Sequence, residues 1–168
     1  MTEEHHEDFK RRLRRSRLAV EAVADWLRQY GSVRIPKTRV APTHAESGGY
    51  KDGGDLFFKQ PNWKGWRCYE IKGVSITFTG KSDYPYERMA VCSLNSWKNV
   101  LKRPQLPSSY ITVSADLQHI GVVKVSTRAQ WKVDKLLDGR RGYEYDTLFC
   151  PLNAVMWLTM EKRNERHQ

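Results

Sequence analysis

The chain has 168 residues, one domain by length, and 39% of them are apolar, with six Trp and eight Tyr. That excludes a disordered chain and supplies enough bulky side chains for a real core. Lys and Arg number 29 against 19 Asp and Glu, a formal charge of +10, so the field favours a polyanionic partner, nucleic acid first, with a solubilising surface as the plain alternative.

No stretch is apolar for long enough to span a bilayer. No helix joins a basic face to a continuous bulky apolar one, so no membrane partner is expected. The opening MTEEHHEDFK is polar and acidic and does not read as a secretory signal. Cys68, Cys92 and Cys150 are widely spaced and form no CxxC. They read as reduced core thiols in a cytoplasmic protein. His5 and His6 have no second ligand cluster, so a structural zinc site is not expected.

In chain order, Phe9, Leu13, Val20, Val23, Ala24 and Leu27 recur at helical spacing, and Gly31 follows as a stop. Acidic residues precede KRRLRRSR, the order that suits a helix dipole. SVRI reads as a short strand ended by Pro36. The polar PTHAESGGYKDGG reads as a loop. DLFFKQ and GWRCYEIKGVSI read as two strands joined by PNWKG. Residues 81–89 are expected to be a loop, and Ser93 to cap a helix that stops before Pro104. SYITVSA and HIGVVKV make a hairpin through DLQ. Thr127 and Gln130 form a capping box that predicts a helix from Arg128 to about Leu137. GYEYDTLFCPL reads as a late strand and AVMWLTM as a closing segment. The result is one α/β domain over residues 1–168, a mixed sheet with helices on it, with about 1–8 and 161–168 mobile.

Charged residues inside the two apolar strands carry the chemistry. Successive strand side chains point to opposite faces, so Glu70 and Lys72 project together while Tyr69 and Ile71 face the core. Asp55 opens the preceding strand, with Leu56 and Phe58 on the face opposite to it. If the strands pair as a hairpin through PNWKG, Asp55 meets Glu70 and Lys72 at the open end. Two carboxylates at a sheet edge suit Mg²⁺ or Mn²⁺, and a lysine beside them stabilises charge that builds up on phosphorus. The plain reading is a structural ion pair between Glu70 and Lys72, with Asp55 shaping a turn.

Asp55, then fourteen residues, then Glu70-Ile71-Lys72 resembles the D…(D/E)-x-K signature of the PD-(D/E)XK nuclease superfamily, which includes restriction endonucleases and Holliday junction resolvases. A leading helix, a strand, a hairpin carrying the motif, then a helix and further strands also look like that superfamily's core over roughly residues 15–137. The resemblance implies a restriction-endonuclease-like mixed central sheet flanked by helices, and metal-dependent phosphodiester hydrolysis with Mg²⁺ or Mn²⁺. It implies Asp55, Glu70 and the Ile71 backbone carbonyl as metal ligands, and Lys72 as the catalytic lysine. Glu21 on the first helix is the candidate for a further acidic ligand, against its reading as a solvated helix face. Gly54 stands where the family often has proline. Asp52 reads as a turn residue.

Lys37, Arg39, Lys51, Lys64, Arg67 and Lys81 surround the motif in sequence and are candidates for phosphate contacts. Tyr84 and Tyr86, flanking Pro85, are candidates for base stacking; Trp97, Trp131 and Trp157 fit core patterns better. No Walker loop, Rossmann fingerprint, GxSxG elbow or HExxH helix is present. The expected function is therefore a nuclease acting on DNA, structure-directed or weakly sequence-specific, with a homodimer possible if both strands are cut. The alternative is a non-catalytic nucleic-acid-binding module that keeps the fold.

Overall fold

The computed structural model describes residues 3–37, 54–139 and 142–162. Helix α1 (Glu3–Leu27) leads into β1 (Ser32–Arg34), β2 (Leu56–Lys59) and β3 (Arg67–Gly73). Then come β4 (Arg88–Ser93), α2 (Leu94–Val100), β5 (Ser109–Val113) and β6 (His119–Lys124). The chain closes with β7 (Lys132–Asp138), β8 (Tyr143–Pro151) and β9 (Met156–Thr159). Six strands form a mixed sheet in the order β1-β2-β3-β5-β6-β9, and β4-β8-β7 form a second, antiparallel sheet. No helix among the described residues is long and apolar enough to cross a membrane.

Strand alternation sets the two faces of the large sheet. Leu56, Phe58, Ile71, Ile111, Val113, Ile120 and Val122 face one way and pack under Ala19, Val23, Ala24 and Leu27 of α1. Burying each of the larger side chains contributes roughly 1.5–3 kcal/mol. Gly73 permits the close approach of α1: a Cβ there would stand 2.9 Å from the Arg15 carbonyl oxygen and 3.0 Å from Ala19 Cβ. On the other side of the sheet, Val123 joins Met89, Val91, Trp97, Val100, Trp131, Leu148, Cys150 and Val155 in a second core, which fastens the small sheet and α2. Trp97 and Trp131 meet edge-on there with ring centroids 5.6 Å apart, a core placement that agrees with their sequence pattern.

The β1-β2-β3 meander is antiparallel, with Leu56 opposite Tyr69 and Phe58 opposite Arg67. β3 then pairs in parallel with β5, Glu70 beside Tyr110 and Lys72 beside Thr112. Parallel neighbours need a crossover, and the segment holding β4 and α2 supplies it. Ser93 caps α2 by accepting the Ser96 N–H at 3.0 Å.

Two expectations are corrected. The helix expected from Arg128 to about Leu137 is a 3-10 turn, Val125–Gln130, followed by strand β7. Thr127 does not cap it: its hydroxyl donates to the Lys124 carbonyl at 2.7 Å and accepts the Trp131 indole N–H at 3.0 Å. That bond anchors Trp131 in the core, and the chain leaves it extended to pair with β8 along seven residues. Gly142, at φ +69° with its N–H on the Asp138 carbonyl, closes that hairpin. The loop expected over residues 81–89 ends early, because Arg88 and Met89 already belong to β4, where Met89 is buried.

Candidate active site

Asp55, Glu70 and Lys72 line one cleft of about 1120 Å³, on the face of the large sheet turned away from α1. The hairpin register brings them there. Asp55 donates its N–H to the Tyr69 carbonyl at 3.2 Å, and its Oδ2 accepts the Ile71 N–H at 2.6 Å. The side chain is thus clamped across the open end of β2–β3, beside the backbone of the Glu-Ile-Lys stretch. Gly54 has φ +122°, and a Cβ there would lie 2.2 Å from Cys68 Sγ. Proline is locked near −65°, so this bend excludes it, which accounts for the glycine before Asp55.

Lys72 donates from Nζ to the Ala90 carbonyl at 2.9 Å, a bond that ties this edge of the large sheet to β4 of the small sheet. The protein crowding it within the cleft lowers its pKa, and a negative Cys92 would raise it. The side chain nevertheless keeps a face open to the cleft, so water is thinned around the ammonium and not removed. Glu70 pairs with the Arg103 guanidinium, both side chains largely buried. Tyr110 and Cys92 stand next to them. Burial pushes both the Tyr110 hydroxyl and the Cys92 thiol upward, which keeps Cys92 a neutral thiol and a poor nucleophile.

The donors suit a magnesium-type ion, which is commonly held by one or two carboxylates with water and substrate phosphate completing its shell. Asp55 and Glu70 supply the carboxylates, and Ile71 lines the same cleft. Among the described residues no group of three or more His, Cys, Asp or Glu gathers to form a complete protein cage. A cation held there would compete with Arg103 for the Glu70 carboxylate.

The remaining sequence candidates lie elsewhere. Glu21 is exposed on α1, 3.7 Å from Arg17 Nε, and does not line the cleft. Lys37 and Lys64 are exposed outside the cleft lining. Arg67 lies over the Trp63 ring at 3.8 Å, at the far end of the hairpin. Lys81 bonds Asn153. Tyr84 is packed against Phe78 and Trp157, and burial pushes its hydroxyl up to about 12, helped by Tyr86. Tyr86 is 57% exposed. Arg39, Lys51 and Asp52 fall outside the described residues.

Several cleft residues have no signal near the motif in sequence. Ser96, Asn99, Lys102 and Arg103 come from α2 and the turn after it, and Leu136, Tyr145 and Thr147 from the β7–β8 hairpin. The basic pair Lys102-Arg103 ahead of Pro104 is the one local cue, since a helix end beside a crossover strand faces the sheet edge. Comparison with family models, with curated proteins and with solved structures finds no match.

Proposed function

We propose that the protein is a metal-dependent nuclease of the PD-(D/E)XK type, hydrolysing phosphodiester bonds in DNA. The observation that carries this reading is the convergence of Asp55, Glu70 and Lys72 on one cleft at the open end of the hairpin. The element order adds support: a leading helix, three antiparallel strands carrying the motif, then, after a strand of the small sheet, a helix and further strands.

In this reading Asp55, Glu70 and the Ile71 carbonyl hold Mg²⁺ or Mn²⁺. A bound ion polarises the phosphoryl oxygen and acidifies water. Asp55 is kept in place by the Ile71 N–H. Lys72, anchored on the Ala90 carbonyl, orients the attacking water and sets positive charge beside the phosphorus centre, where charge builds up in the transition state. Its lowered pKa fits a group that also exchanges a proton with that water. Arg103, beside Glu70, supplies a second cation at the cleft wall.

A second reading, a non-catalytic nucleic-acid-binding module, draws on the Glu70–Arg103 pair, which occupies a carboxylate that catalysis needs. Incubating labelled single-stranded, duplex, flap and four-way-junction DNA and RNA with Mg²⁺, Mn²⁺ or EDTA separates the two. Cutting that requires the metal supports the nuclease. Salt-sensitive binding with no cutting under any condition supports the module.

A further inference from the structure

The cleft has two kinds of wall. α2 and its following turn contribute Ser96, Asn99 and Lys102, which are hydroxyl, amide and cation. The β7–β8 hairpin contributes Leu136 and Tyr145. These two are register partners, so strand geometry sets them side by side on one face. Tyr145 is half-buried and braced by the Tyr143 ring, centroids 6.3 Å apart at 62°.

Phosphate needs only the first wall. The aromatic and aliphatic pair inside the same cleft offers a surface that a flat apolar group can cover. A duplex offers phosphates and base edges, because each base face is covered by its neighbours. An unpaired strand offers base faces, and stacking on aromatic side chains is how such strands are held without sequence reading.

We infer that the cleft receives an unpaired nucleic-acid strand, with a base stacked on Tyr145 against Leu136 and the neighbouring phosphate met by Lys102, Asn99 and Ser96. This rests on the nuclease reading for its context and names the substrate class of that site: single-stranded tails, flaps or loops.

The test is fluorescence anisotropy in EDTA, so that nothing is cut, with labelled oligonucleotides of one length. The probes are single-stranded DNA, single-stranded RNA, duplex DNA and an abasic strand. An unpaired strand of either sugar binds at least about tenfold tighter than the duplex. Tyr145→Ala weakens binding of the base-bearing strand about 5- to 150-fold, the range that alanine substitution of a stacking aromatic produces. Tyr145→Trp restores it, which excludes a folding defect, and the abasic strand does not respond to either change. Lys102→Ala weakens base-bearing and abasic strands alike and flattens the salt dependence by about 0.7 in log–log slope. Equal or tighter duplex binding overturns the inference. So does a Tyr145→Ala loss that is the same for the abasic strand, or an absence of binding. Metal-dependent cutting without strand preference defeats the inference alone. Strand binding with the Tyr145 signature and no cutting in Mg²⁺ defeats the nuclease reading and leaves the inference standing.

Discussion

The pair Glu70–Arg103 is the part of the cleft whose energetics can be worked out most fully. An exposed ion pair contributes about 0–1 kcal/mol, and breaking a fully buried one by removing a partner costs about 3–5 kcal/mol. Glu70 keeps 15% of its side-chain surface and Arg103 keeps 18%, which places Arg103→Met between these limits, at a loss of about 2 kcal/mol. Most of that loss is the carboxylate left without its cation, so Glu70→Gln in the same background recovers it. A double-mutant cycle by urea denaturation therefore gives a coupling of about 1.5 kcal/mol, within the range for contacting residues. The same variant reads the competition for Glu70. Once Arg103 is gone, Mn²⁺ binds more tightly, and each tenfold gain in affinity adds about 1.4 kcal/mol to the stabilisation at saturating ion. Single losses that simply add, to within about 0.3–0.5 kcal/mol, would refute the pairing argument. An equal Mn²⁺ shift in parent and variant would refute the competition.

Gly54→Ala is expected to lose about 2 kcal/mol or more, because it combines a strained backbone with overpacking against Cys68 Sγ; urea unfolding measures this, and parent-like stability would contradict it. Gly121→Ala is expected to cost about 1–3 kcal/mol, since its Cβ would stand 2.6 Å from Met89 Cε and 3.2 Å from Val155 Cγ1 between the two sheets; a neutral result would mean that Met89 swings aside freely. Lys72 predicts a pH effect. Its folded pKa lies below the ordinary 10.5, so folding opposes its charged form; that penalty is complete below the folded pKa and gone above 10.5. Lys72→Met is therefore expected to lose ground against the parent in melting temperature as pH rises from 7 towards 10.5; a difference that does not change with pH would show that the lysine carries no such penalty. Asp55→Asn is expected to abolish the Mn²⁺-induced rise in melting temperature while keeping the Ile71 N–H bond through its amide oxygen; an undiminished rise would remove Asp55 from the ligand set.

The hairpin end of the site was legible in the sequence because it depends on period-two alternation and one short turn. Leu56, Phe58 and Ile71 had to face one way, which sent Glu70 and Lys72 the other way and carried Asp55 to the same end. The first helix, Ser93 as its cap on α2, and the β5–β6 hairpin followed from equally local rules. The stretch from Lys132 to Asp138 did not. Val133, Leu136 and Leu137 repeat at a helical spacing, and only the Trp131 anchor and pairing with β8, a tertiary effect, make it a strand. The same limit hid Arg103 and Tyr145. Both reach the cleft through a crossover and a hairpin whose positions depend on the second sheet. The basic residues nearest in sequence, Lys64 and Arg67, were carried instead to the far end of the β2–β3 hairpin.

Replacement of Lys72 by Ala removes the proposed catalytic lysine and little else. Lys72 sits at the centre of the proposed chemistry, and its bond to the Ala90 carbonyl is not expected to decide the fold. Cleavage of the preferred labelled substrate in Mg²⁺ would be followed for parent and variant side by side, with binding in EDTA and thermal melting as controls. Metal-dependent cleavage by the parent, loss of at least about a hundredfold in the variant, and nearly unchanged binding and folding are expected. Cleavage by the variant at the parent's rate would contradict the catalytic role of Lys72.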